Sequence, residues 1–118
     1  MADFGIFIGF GFPIPGRDEA AVKVFNELLQ LLGQQAQAGN VESIEPAILQ
    51  PHGGELGGFI IARGERTKLD ALVASDAFQR LTVRAQSCVS HFGVVNATMG
   101  AELQRSMSTF LSDTADLR

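Results

Sequence analysis

The order of apolar runs along the 118 residues constrains the fold more than any other feature of this chain. Read by hydrophobic period, the order is strand, helix, strand, strand, helix, strand, followed by one more amphipathic helix. A single domain over residues 1–118 holds that order most simply as a βαββαβ antiparallel sheet with its helices on one face. Such a sheet leaves its second face uncovered, so the same order predicts a partner.

The first run, Phe4 to Phe12 (FGIFIGFGF), alternates strictly. Phe4, Ile6, Ile8, Phe10 and Phe12 fall on one face and form a core stripe under the helices. Gly5, Phe7, Gly9 and Gly11 leave the other face nearly bare, which marks it for a cavity or a partner. Asp18 is placed to cap a helix reaching about Ala38, with Val22, Phe25, Leu29, Leu32 and Ala36 as its buried side. Val41 to His52 reads as a second strand, and Pro46 within it makes it an edge. Gly53-Gly54 turns the chain into a third strand, Leu56 to Arg63. Thr67 starts a helix that Ser75-Asp76 breaks in two before Gln86. Leu69, Leu72, Phe78, Leu81 and Val83 form its buried side. Val89 to Met99 reads as the fourth strand, and Leu103, Met107, Phe110 and Leu111 as the stripe of a last helix that packs on the body or on a partner subunit.

Composition excludes several function classes. Apolar residues are 46% and charged ones 19% of the chain, as in a folded domain. The net charge of −4 and the absence of any basic run argue against nucleic-acid binding. No apolar stretch approaches the roughly 20 residues that cross a bilayer. The start, Met1-Ala2-Asp3, has no basic region of the kind a secretory signal carries, and Cys88 stands alone, so the expectation is a soluble cytoplasmic protein without a disulfide.

Three polar residues inside apolar strands are candidates for chemistry. His91, placed in the fourth strand, is suited to act as a general base or to hold a ligand, and equally to be hydrogen-bonded in the sheet or at an interface. Glu45 and Arg63 fall on neighbouring strands. Facing a cavity, Arg63 would hold a carboxylate or enolate and Glu45 would move a proton; otherwise they form a salt bridge or are solvated. Asn96 has the opposite parity to His91 and cannot share one sheet-face cavity with it. His52 lies in the Pro51-Gly54 turn, and neither histidine has a carboxylate at ligand spacing, so no metal is expected. Gly9 to Gly16 lacks the third glycine and the lysine of a phosphate loop and reads as a turn, with Arg17 beside the following helix start as an incidental anion contact.

The layout resembles the dimeric α+β barrel superfamily of ferredoxin-like proteins, which includes cofactor-free antibiotic-biosynthesis monooxygenases and YCII-related proteins. The resemblance rests on FGIFIGF, LQPHGGELGGFIIARG, LDALVASDAFQRL and VSHFGVVNATMG and covers nearly the whole chain. It implies an antiparallel ferredoxin-like sheet, a homodimer with two sheets facing each other, and an apolar pocket between sheet and helices or within the barrel. The phenylalanine-rich, glycine-relieved first strand points to an apolar, aromatic or polyketide-like compound as ligand or substrate, and the resemblance to cofactor-free enzymes implies no cofactor. On the monooxygenase pattern His91 would deprotonate the substrate, Arg63 would stabilise its anion and oxygen would react directly. A non-catalytic ligand-sensing or assembly dimer is the alternative.

Overall fold

The structure, a computed structural model, describes residues 2–118. Its elements run β1 (Phe4–Phe10), α1 (Asp18–Gln37), β2 (Ser43–Ile48), β3 (Gly58–Gly64), α2 (Arg66–Ala74), α3 (Asp76–Gln86), β4 (Gly93–Thr98) and α4 (Gly100–Asp113), with a closing 3₁₀ turn at Ala115–Leu117. The strands form one antiparallel sheet in the order β2-β3-β1-β4. The βαββαβ order is therefore borne out, as is the edge position of β2. Pro46 faces Ile60 across the ladder at that edge, where its missing N–H has least to disrupt.

Alternation in β1 sets the two faces. Ile6 and Ile8 meet Ala62 and Ile60 of β3 and are buried with them beneath the helices. Phe4 and Phe10, at the strand's ends, are half-buried, and Phe12 lies beyond it, exposed. The opposite face carries one cross-strand row of Glu45, Ile61, Phe7 and Val95. Its glycines are occupied space rather than a void. The Phe7 ring lies where a side chain on Gly9 would begin, and the Met99 methyl lies over Gly5. Phe7 also stacks on Phe59, with ring centroids 5.4 Å apart.

The helices cover the core face by stripes that differ from two expectations. In α1 the buried residues are Val24, Leu28 and Leu32 at four-residue spacing, and Phe25, Leu29 and Ala36 are half-buried beside them. Val22 faces solvent, because two residues from Val24 is roughly 200° round a helix. In α3 the stripe is Phe78, Leu81 and Ala85; Val83 is exposed, roughly 140° away from Phe78. Arg84 of α3 forks onto Glu27 of α1, with Nε donating to Oε1 at 2.9 Å and a guanidinium nitrogen to Oε2 at 3.1 Å. That planar pair fixes how the two helices lie.

The break between α2 and α3 falls where Ser75 predicts it. Its backbone is extended, and its hydroxyl accepts from the Phe78 N–H at 3.3 Å, capping α3. The other two starts differ from expectation. Residue Arg17 caps α1, and Glu65 caps α2, neither with a side-chain bond. Asp18 and Glu19 instead occupy the first turn of α1, where the helix dipole favours acids.

The fourth strand begins later than expected. His91 is a non-glycine residue at φ 53°, which interrupts the strand before Gly93. The ladder resumes on its far side in the same register: Gly9 opposes Gly93, and Pro13 opposes Val89. His91 is thus a local distortion between two paired stretches, not a residue of a continuous strand.

Candidate functional site

A cavity of about 460 Å³ opens between the sheet and α1, at the end where β1 runs out. The buried residues Val24, Leu28, Ala85 and Cys88 form its floor, and exposed Phe12, Val22 and Ile48 its rim. Phe10 and Phe25 meet edge to face along one wall, 5.6 Å apart at 83°. The small side chains of Ala21, Ala85 and Cys88, where α1 approaches the end of α3, leave the space unfilled. Among the described residues no charged side chain lines it, and the Cys88 thiol donates to backbone carbonyls of Arg84 and Ala85 at 3.4 and 3.6 Å. An apolar wall of this kind removes apolar ligand surface from water and offers nothing to an ion.

The cavity lies between sheet and helix, one of the two places the resemblance implies; of the glycines on the relieved side of the first run, Gly11 lines it and Gly5 and Gly9 do not. The residues that build it are apolar and carry no polar mark of a site in the sequence. One signal was available: α1 is apolar at Val22 and Phe25 as well as at Val24, Leu28 and Leu32, more than one helix–sheet contact uses.

His91, Arg63 and Glu45 are elsewhere. Arg63 sits opposite Ser43 and Gly5 on the open face, and its Nε donates to the Ala2 carbonyl at 2.6 Å, tying down the N-terminal segment. Glu45 shares that face, opposite Ile61, and is exposed. The two are diagonal neighbours, and no ion pair joins them among the described residues. His91 stands at the far end of the same face, with Nε2 3.4 Å from Glu55 Oε2. The Gly5-to-Gly11 separation along β1 places Arg63 and His91 about 20 Å apart, too far for one reacting group to touch both. Asn96 faces the helix side beside Phe4 and Leu69.

His52 is a turn residue: its Nδ1 accepts from the Gly54 N–H at 3.2 Å, and its Nε2 lies 2.8 Å from the Leu56 carbonyl. The neutral tautomer protonated at Nε2 satisfies both bonds. The Gly9–Gly16 stretch is a turn only at its end: Gly9 and Phe10 belong to β1 and Pro13 bridges Val89, after which Arg17 N–H donating to Ile14 O at 2.8 Å closes a turn with Gly16 at φ 82°. Among the described residues no helix is long and apolar enough to cross a membrane, and no three metal-ligating side chains cluster.

No family model matches the chain, and no curated protein matches it. Solved structures do. NE2512, a protein of unknown function from Nitrosomonas europaea, superposes with a TM-score of 0.63 at 15% identity, over 86% of this chain and 92% of that one. A dimeric ferredoxin-like protein of unknown function from Thermobifida fusca gives 0.62 at 8% identity, over 84% and 93%. SnoaB, a cofactor-independent oxygenase from Streptomyces nogalater, gives 0.61 at 13% identity, over 84% and 95%. By topology and by these likenesses, this chain has the α+β ferredoxin-like fold, with a four-stranded antiparallel sheet.

Proposed function

We propose that this protein is a homodimeric module that binds a neutral, apolar small molecule between its sheet and α1. The observation that carries the reading is the cavity of about 460 Å³ without a charged wall residue, a size within the range of small-molecule sites. Its aromatic wall suits a flat ring system or a reduced polyketide-like skeleton. The dimer is supported by the open sheet face, where Val95 is 57% exposed beside Phe7 and Ile61, and by the dimeric state of the ferredoxin-like proteins from Thermobifida fusca and Bacteroides fragilis that share the fold. In this reading Arg63 holds the N-terminal segment, His91 pairs with Glu55 over the end of the sheet, and Glu45 lies at the interface edge. None of them touches the ligand.

Native mass spectrometry tests both halves, on protein incubated with a panel of neutral polycyclic aromatics. Two chains carrying one adduct per chain are expected. A bare dimer across the whole panel would sink the binding role, and a monomer would sink the dimer. Oxygen uptake with electron-rich phenols in the same panel separates a binder from an oxygenase of the SnoaB kind.

A further inference from the structure

We infer that α4 is an arm that seats on a second copy of this chain, so that the dimer is closed by two reciprocal helices as well as by facing sheets. The inference rests on the dimer proposed above and says what completes it.

Helix α4 leaves the body at Gly100, whose φ of 59° turns the chain sharply beside the Asp3 carboxylate. It has no buried residue. Leu103, Met107, Phe110 and Leu111 are 45–67% exposed and fall within about 100° of arc, one continuous apolar stripe. The radius of gyration, 16.1 Å, exceeds the roughly 13–14 Å of a compact domain of this length, as expected when an element projects. A helix this short is marginal in water without packing. Yet its far end is finished rather than frayed: Thr114 Oγ1 donates to the Phe110 carbonyl at 2.7 Å, and Arg118 to the Leu111 carbonyl at 2.6 Å. Beyond its first turn, which touches β4, the stripe is shaped to pack and more than half of Met107, Phe110 and Leu111 is left uncovered.

Area identifies the occupant. Strands spaced about 4.8 Å apart and about six residues long give the open face roughly 400 Å² of planar area. Two such faces bury about 800 Å², short of the roughly 1,200 Å² where stable interfaces begin. The arm is about 21 Å long and about 10 Å wide, so each seated helix removes roughly 200 Å² from itself and as much from the surface beneath it. Two arms add about 800 Å², for a total near 1,600 Å², the size of an ordinary stable interface. The sheet faces alone fall short of a stable dimer, and the arms make up the difference.

The test is the dimer dissociation constant by analytical ultracentrifugation for the wild-type chain, a Met107→Glu/Phe110→Glu chain and a Ser112→Glu control on the opposite side of α4. These side chains are exposed in the single chain, so the body folds in each case. The expected result is a dissociation constant raised at least 100-fold in the double variant and unchanged in the control. A wild-type dimer with all three constants equal overturns the arm and leaves the sheet-face dimer standing. An equal loss in the control also overturns it, and a wild-type monomer at every concentration overturns the dimer itself.

Discussion

A Val95→Glu chain is expected to be monomeric at concentrations where the wild-type chain is dimeric, its dissociation constant raised at least 100-fold. Val95 ends the row Glu45, Ile61, Phe7, Val95 that crosses the open face. It is 57% exposed in the single chain, so the substitution leaves the core untouched and the thermal unfolding of the monomer unchanged. In a face-to-face dimer the same position is dry, and an unpaired carboxylate there costs about 3 kcal/mol or more. Each 1.4 kcal/mol is a factor of ten, which sets the 100-fold floor. Sedimentation of both proteins across a concentration series reads it directly. A variant with the wild-type constant would remove this face from the interface.

Phe78→Ala is expected to lower the unfolding free energy by about 3–5 kcal/mol, the cost of emptying a fully buried aromatic site. Phe78 is 1% exposed and belongs to the cluster that joins Ile6, Ile8 and Ile60 of the sheet to Leu28 and Leu32 of α1 and to Leu69 and Leu72 of α2. Because α3 also carries Arg84, whose fork onto Glu27 positions α1 over the cavity, loosening its seat disturbs the cavity wall as well. A domain of this length has a total stability of roughly 6–18 kcal/mol, so the loss is a large share of it. Urea denaturation of the two proteins measures it as a fall in midpoint at constant slope. A change below 1 kcal/mol would mean that Phe78 does not hold α3 to the sheet.

The sequence carried the architecture because the signals for it are local and repeated. Alternation in FGIFIGF, Pro46 in an edge strand and the Ser75-Asp76 break each report one element's environment, and each agrees with the topology found. The stripes were less legible. Val22 and Val83 obey helical spacing from a neighbouring apolar residue but lie off the face that tilt and tertiary contact select. His91 falls outside the expected strand because its backbone leaves it at φ 53° between two stretches of one register, and side-chain pattern does not record backbone sign. The cavity was least legible of all. Its walls are ordinary apolar residues, and the space between Phe10, Phe25 and Ala85 arises from small side chains where α1 nears the end of α3. Polar residues attract attention in a sequence, and here the ones that did, His91, Arg63 and Glu45, lie away from the cavity wall.

The central claim is that the space beneath α1 takes a neutral apolar molecule. Fluorescence titration of the wild-type chain and of Ala21→Phe with 1-aminoanthracene tests it most directly, because Ala21 lines the cavity and a phenyl ring there fills part of it. Burying such a probe removes about 450 Å² of apolar surface from water, worth about 11 kcal/mol, and association costs at least about 4. The wild-type affinity is therefore about 10 μM at its tightest, about −7 kcal/mol. The account predicts one saturable site per chain and at least a tenfold loss in Ala21→Phe, with unfolding temperature unchanged or raised. Equal affinity in the two proteins, or no saturable site in either, would contradict it.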